Sequence, residues 1–544
     1  MENKTINLHT AYFREARTCY TLEDFNKKLG LKDLDKTKKI VAALKRTGIA
    51  KAVKKTEFNL NKLDEQGTDY LITDDISANS DIGYVLNYVG FAFTDDCLIK
   101  CYPKYINEKQ FNSEADTKEK IEKHFKTLLK VIRKINAKEE QIHLYNGQED
   151  SHGFNRLAVA LYLLDDYYRN GVYSNLQTII ETNGEGEIDW DKTINETFAI
   201  LKNNKPYYVE LQTINTQSNE LDYFKLLHEC VLTMCSQELE KAGVLELFDM
   251  MPVEITSMTL DEFGDTAYIQ YRLEKEIQNQ FVSKKQTLLK TLYTFITETK
   301  SNEINNTVSL FGTNAFNMIW EKACAAVFKN ELKTKFKDLK KEGLIEEFPD
   351  NPNYDSGSSD SHPKMKPNES LIDLIEKAKW RIKDSVLNTQ DTLIPDIISI
   401  ERASKAFIIL DAKYYCFEVD ESKKLIYHQP GIQDIVKQFA YHQAYRDFIY
   451  NGNFEKVGNA FLVPQKTYEN TEKTIDVIGD VTLNIMNNFG FAPLAPIQVV
   501  EINPEGLYKS FLAGKEIKTE LVSSNVQFHF EKTKTETVHS YYKD

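Results

Sequence analysis

The chain has 544 residues, of which 41% are hydrophobic, including 30 Phe and 29 Tyr. That is too long for one compact core, sets an expectation of about three domains at ~150 residues each, and excludes a largely disordered chain. The formal net charge of -14 argues against a dedicated non-specific DNA coat, which would be basic, but leaves room for an enzyme that meets nucleic acid through a local basic face.

Residues 1–65 read as a small helical unit. "TLEDFNKKLGL" and "DKTKKIVAALKRTGIAKAVKK" place apolar residues at helical spacing. Thr21 and Asp35 are the expected N-caps, and Gly48 the expected stop. Helix, helix, then an extended stretch is the order of a winged-helix unit. Lys36, Lys38, Lys39, Lys45, Arg46, Lys51, Lys54 and Lys55 make it locally basic. That pattern suits a nucleic-acid contact and equally a solvated helix face. The opening "MENKTINLHTAYFREARTCY" has no apolar signal core, and no run approaches the ~18 apolar residues of a membrane span. With seven scattered cysteines, the expectation is a cytoplasmic protein with no membrane partner.

Farther along, "IGYVLNYVGFAFTDDCLIKCYPKYI" reads as two strands joined by the turn "TDD". Cys97 and Cys101, and likewise His228, Cys230 and Cys235, are incomplete as zinc sites, so buried cysteine is expected. Helices are expected over 117–138 and 154–169. "ETNGEGEIDWDKTI" then breaks the pattern: Gly184 and Gly186 permit a tight turn or close backbone approach. It is no phosphate cradle, because it lacks the Gly-Lys-Ser/Thr ending and carries Glu185 and Glu187. Residues 220–300 are helical by period, "YRLEKEIQNQFVSKKQTLLKTLYTFITETK" among them. Such a region packs on itself or serves a partner. "KNELKTKFKDLKKEG" reads as a basic helix, and "FPDNPNYDSGSSDSHPKMKPNES" (348–370) as a loop or linker.

The chemistry concentrates in "IPDIISIERASKAFIILDAKYY", residues 394–415. Two apolar runs flank the polar turn "ERASK", which predicts a hairpin. A hairpin centred between Ala403 and Ser404 sets Asp396 opposite Asp411, on one face, with Cβ atoms ~5 Å apart. Lys413, two residues on, shares that face. A one-residue slip would separate the acids. Two carboxylates so close repel unless a cation lies between them. The lysine offers one charge. A hard divalent cation with oxygen ligands, as Mg²⁺ prefers, would satisfy both, and its bound water is a nucleophile for phosphodiester hydrolysis that a lysine can orient. A buried structural ion cluster has the same spacing.

Pro395-Asp396 followed by Asp411-Ala412-Lys413 on an apolar strand resembles the PD-(D/E)xK nuclease superfamily, over roughly residues 310–505. In that fold a helix before the hairpin often supplies a further acid. Here it is "FNMIWEKACAAVF", with Glu321 in an otherwise apolar stretch. A helix follows the lysine strand, and "GIQDIVKQFAYHQAYRDF" fits, with Asp434, Gln438, Tyr441 and Tyr445 in one stripe. The runs 459–464 and 496–502 would complete the sheet. A narrower resemblance rests on "YVGFAFTDDCLIKCYPKYI", "GEGEIDWDKTI" and "FNMIWEKAC", in that order before the nuclease motif. It is to the LlaJI-type restriction endonuclease family, whose members are similar to McrC, the nuclease subunit of McrBC-type systems.

The resemblance implies an α+β multidomain chain: a winged-helix-like basic unit (1–65), an α/β region (66–205), a helical partner-binding region (206–305) and a C-terminal nuclease domain (306–544) with a mixed sheet flanked by helices. It implies a metal-dependent endonuclease subunit acting on double-stranded DNA with an AAA+ GTPase ring of McrB type, and DNA methyltransferases as genetic partners. Asp396, Asp411, Glu321 and the Ala412 carbonyl would serve one or two Mg²⁺ ions. Lys413 would position the water, and Gln438 and Tyr441 would support the site or touch DNA. Two alternatives are a self-sufficient type II enzyme reading DNA through its basic unit and a non-catalytic activator or scaffold of the GTPase.

Overall fold

The computed structural model describes residues 9–55, 82–93, 97–107, 109, 114–146, 156–218, 221–241, 244–302, 309–353, 363–382, 385–389, 391–466, 474–487 and 496–517. The fold is mixed α+β, with several sheets and helices. The chain forms two compact units, each discontinuous in sequence. One contains Met1–Ala11, Phe91–Ile99 and Glu139–Phe311; the other contains Tyr12–Gly90, Lys100–Lys138 and Gly312–Asp544. The expected turn at 94–96, residues 56–65 of the basic unit and residues 354–362 of the expected loop lie outside the described residues.

In the second unit, a helix over Leu22–Leu29 starts on a reciprocal capping box. Thr21 Oγ accepts from the Asp24 amide at 3.0 Å, and the Thr21 amide donates to Asp24 at 2.8 Å. The next helix, Leu34–Arg46, is capped by Asp33 rather than by the expected Asp35, because it starts two residues earlier and Asp33 accepts from the Asp35 amide at 2.9 Å. Its end at Thr47 is followed by Gly48 at φ 74°, where glycine carries no Cβ penalty. Phe25 stacks on Phe13, with ring centroids 4.7 Å apart, and Leu29, Val41 and Leu44 bury beside the two helices. Strands Ala50–Lys54 and Ile82–Leu86 pair antiparallel. Lys36, Lys39, Arg46, Lys51 and Lys55 are exposed. Residues 82–106 form three strands rather than two, because the chain breaks at Asn87 and Tyr88 before Val89–Phe93.

The centre of this unit is a five-stranded mixed sheet. Its strands are β1 (Ile397–Glu401), β2 (Ala406–Ala412), β3 (Lys456–Pro464), β4 (Ile475–Val481) and β5 (Ile497–Ile502), in the order β1-β2-β3-β5-β4. β2, β3 and β5 are parallel, with β1 and β4 antiparallel at the edges. Every residue of β2 is buried, as a strand covered on both faces requires. Helix α1 (Phe316–Val327) buries Phe316, Ile319, Trp320, Ala323, Cys324 and Val327, a stripe at helical spacing. α2 (Ile432–Asn451) packs against β2, β3 and β5, and α3 (Pro504–Ala513) against α1. The outer edge of β1 is covered. The Glu331 amide donates to Ile398 O at 2.7 Å, and Asn330 Nδ2 donates to Asp396 O at 2.7 Å. The expected basic helix is short, Phe336–Lys341, anchored by buried Phe336 and Leu339.

In the first unit, helices Arg156–Asn170, Tyr223–Lys241, Thr266–Asn279 and Ser283–Asn302 pack through Leu164, Leu227, Val231, Leu289 and Phe295. The long amphipathic stretch breaks at Gln280, where the backbone turns extended. The glycine turn closes a small antiparallel sheet. At Gly186, φ is 137° and a Cβ would lie 2.2 Å from Ile214 O, so only glycine fits. Cys97, Cys101, Cys230 and Cys235 are buried. No helix among the described residues is long and apolar enough to cross a membrane.

Three buried histidines set an acid limit on stability. Burial lowers His124, His228 and His442 from 6.5 to about 4. His228 Nδ1 accepts from the Tyr173 amide at 3.0 Å, a bond that only an unprotonated nitrogen can accept. A folded-state pKa below the unfolded one means that the stabilisation is complete above pH 6.5. It is lost as pH falls towards 4, by up to roughly 3 kcal/mol per histidine. The unfolding midpoint measured by calorimetry should therefore fall between pH 6.5 and 4. His228→Gln should flatten part of that fall; an unchanged midpoint across the window would contradict the assignment.

Candidate active site

The hairpin register is the one counted from the turn. β1 pairs Ile397 with Leu410, Ile398 with Ile409 and Glu401 with Ala406; one step beyond the ladder, Asp396 comes beside Asp411. The turn is held from outside. Arg402 makes a bidentate pair with buried Glu331, one arm at 2.7 Å, and also reaches Ile400 O at 2.8 Å. Asp396 lies at the bend before β1, and its Oδ2 accepts from the Ala412 amide at 2.9 Å. That bond crosses the hairpin at its open end and fixes the acid against the second strand.

Asp411 is 4% exposed. On β2 it follows Phe407 and Ile409 on the face that packs against Tyr441, Tyr445 and Phe448 of α2. Burial pushes its carboxyl well above the ordinary carboxylate range. A hydrogen bond with Asp396 and the charge of Asp396 push further in the same direction, and Lys413 pulls back. Lys413 Nζ lies 3.2 Å from Asp411 and 3.1 Å from Asp434 of α2. Burial alone would lower the lysine, but Asp411 and Asp434 outweigh it and hold the ammonium. The Lys413 amide donates to Leu462 O at 2.9 Å, and Trp320 Nε1 donates to the same oxygen at 3.2 Å, so α1, β2 and β3 meet there.

Glu321 is half-buried on α1. Burial raises its carboxyl, and the Asp411 charge adds to that, so it senses the acid pair electrostatically. Among the described residues, no group of three or more His, Cys, Asp or Glu side chains is gathered closely enough to hold a metal. The structure thus unites Asp396, Asp411 and Lys413, with Glu321 at the edge. The α2 stripe is no solvent rim, since Gln438 and Tyr445 are fully buried and Tyr441 is 8% exposed. Gln438 Nε2 donates to Asn459 Oδ1 at 2.7 Å and to Ile409 O at 3.3 Å, tying α2 to β2 and β3. Of the two expected roles for Gln438, support of the site or contact with DNA, this burial fits support, because an amide sealed against a sheet has no access to a duplex. Tyr441 is buried as well, and its phenol is pushed up to about 12, first by burial and then by Asp411 and Asp396. Sequence reasoning gave no role to Asp434. Its place four residues before Gln438, on the stripe facing the lysine strand, was the available signal.

A pair of acids and a lysine at the end of a mixed sheet occurs here in a chain that matches the LlaJI restriction endonuclease family over residues 88–348 and 367–505, and the chain belongs to that family. It is 28% identical over 446 residues to the Type II restriction enzyme BsuMI component YdjA of Bacillus subtilis (strain 168), covering 80% of this chain and 82% of the relative. Among solved structures it is similar to McrC bound to McrB AAA+ hexamers of Thermococcus gammatolerans, at 12% identity and TM-score 0.34, covering 93% of this chain and 99% of that one. The Thermococcus gammatolerans McrBC complex matches at 12% identity and TM-score 0.20, over 53% and 79%. TM-scores this low define no common fold.

The site opposes its own folding, because burial and the neighbouring Asp396 disfavour a charged Asp411. Asp411→Asn removes the buried like charge while Asp434 keeps Lys413 paired. The variant should melt higher than the parent in EDTA near neutral pH, by about 2–4 °C for each kcal/mol gained. A lower melting point would mean that the Asp411–Lys413 attraction outweighs burial and repulsion.

Proposed function

We propose that the chain is the metal-dependent DNA endonuclease subunit of a McrBC-like, LlaJI-type restriction system, with a nuclease domain of the PD-(D/E)xK type. The observation that carries the proposal is the pairing of Asp396 with Asp411 on one buried face, with Lys413 bridging to Asp434. The two carboxylates and the Ala412 carbonyl offer oxygen donors, and the carboxylates repel, so this donor set fits a hard divalent cation such as Mg²⁺. Asp396, Asp411 and the Ala412 carbonyl would hold the ion, with Glu321 reaching it through water. When bound, Mg²⁺ supplies a water nucleophile and neutralises charge on the attacked phosphate. Lys413 carries a fixed positive charge beside the position of that phosphate, and Asp434 keeps the ammonium aimed. The sheet contributes rigidity, since Asp411 and Lys413 lie on a buried strand and at its end.

The motor partner is proposed on the McrC-like resemblance of the sequence, and a multi-subunit enzyme on the word "component" in the relative's name. The partner would be an AAA+ GTPase ring, with methyltransferases protecting host DNA. The exposed lysines of the amino-terminal helices favour one second reading, a self-sufficient enzyme that reads DNA through residues 1–65. A purely non-catalytic activator would have no use for the acid pair and lysine.

Lys413→Ala should reduce Mg²⁺-dependent cleavage of duplex DNA by at least about 100-fold in the complex with its GTPase, with an unchanged circular dichroism spectrum. Undiminished cleavage by the folded variant would sink the nuclease assignment. GTP-independent cleavage by the chain alone, abolished by replacing the exposed Lys36, Lys39, Arg46, Lys51 and Lys55 with Ala in a variant with an unchanged melting point, would select the second reading.

A further inference from the structure

A two-stranded ribbon precedes the acid pair and has no role in it. Lys379–Ile382 pairs antiparallel with Ser385–Asn388, setting Trp380 opposite Leu387. Directly paired residues share a face, and Ile382, two positions on, joins them. The three are 59%, 52% and 51% exposed. Arg381 alternates to the opposite face and is also exposed, as is Lys377 at the base of the ribbon. No residue of Lys379–Ile382 is buried. A bare two-stranded hairpin is marginal in water and gains from any surface that covers it.

The ribbon is tethered close to the candidate catalytic acids. The Thr389 amide donates to Ala378 O at 2.9 Å, closing the ladder, and Thr392 Oγ donates to Glu376 O at 2.7 Å. Four residues then lead from Thr392 to Asp396, a span of at most about 14 Å. A duplex is wider than that span, so DNA with a phosphate at Asp396 comes within reach of the ribbon. The major groove, ~12 Å across, admits a two-stranded ribbon.

We infer that this ribbon is a DNA-contacting element that enters a groove of the duplex beside the scissile phosphate. Trp380, with Leu387 and Ile382, packs on sugars and base edges, while Lys377 and Arg381 meet the flanking phosphates. Duplex DNA is chosen over a protein partner for two reasons: the opposite face carries Arg381 and Lys379, and the base of the ribbon is tied through Thr392, four positions from Asp396. The inference rests on the nuclease reading.

The test is fluorescence anisotropy of the full-length chain with a fluorescein-labelled mixed-sequence duplex in EDTA, so that binding is read without chemistry. Trp380→Ala should weaken binding about tenfold or more at every salt concentration, with Trp380→Phe largely restoring it. The double variant Lys377→Ala/Arg381→Ala should lower the slope of log K against log salt by about 2. All the substitutions are at exposed positions, and an unchanged melting point verifies that each variant is folded. Wild-type affinity in both Trp380→Ala and the double variant overturns the inference, as does absence of duplex binding by the parent chain. Cleavage by Lys413→Ala in the same preparations tests the nuclease reading separately, so either can fail while the other stands.

Discussion

Asp396 and Asp411 share a hydrogen bond in a place from which most water is excluded. Like charges in such a site cannot both ionise without a cation, and much of the surrounding structure holds this unfavourable pair in place. The hairpin supplies the alignment. Its side-chain period is two, so a shift of one residue would send one acid to the other face. Three ties act against such a shift, two from outside the hairpin and one across it: Arg402 on Glu331 at the turn, Asn330 on the Asp396 carbonyl, and the Ala412 amide on the Asp396 carboxylate. The buried Glu331 is itself a charge, met by two bonds from Arg402 and by Lys329 at 3.8 Å.

The positive charge is constrained with equal care. Lys413 is beyond the last ladder residue of β2 and has a long, flexible side chain. Asp434 of α2 removes that freedom, and the amide bond to Leu462 O fixes the backbone beneath it. Gln438 then fixes α2. An amide buried between a helix and two parallel strands, bonded to Ile409 O and Asn459, sets the height of the helix above the sheet. Asp434 lies one turn earlier on the same helix, so the position of the ammonium depends on a glutamine buried beneath the helix.

The hairpin was legible in the sequence because every step was local: apolar runs, a polar turn, and equal distances from its centre. The Thr21 cap and the Gly186 close approach were legible for the same reason. Asp33 displaced Asp35 as a cap because two acids two residues apart compete for one helix start, and composition does not rank them. For Gln438 and Tyr441 the choice between supporting the site and touching DNA stayed open, because a polar stripe on a helix has the same spacing whether it faces solvent or the carbonyls of a sheet. Only the packing of α2 decides that. Arg402 and Glu331 are 71 residues apart, and no local pattern connects them.

The least local feature joins the amino-terminal segment to the strand exit. Glu15, 5% exposed, accepts from Tyr414 Oη at 2.6 Å and from the Lys104 amide at 3.2 Å. Arg17 donates to Cys416 O at 2.9 Å. Tyr414 follows Lys413 directly, so residues from the first twentieth of the chain grip the backbone on which the lysine depends. This network explains why Tyr12–Gly90 belongs to the same compact unit as the sheet. A buried, hydrogen-bonded carboxylate is costly to break and has few alternative partners. The amino-terminal segment is therefore a structural part of the candidate site.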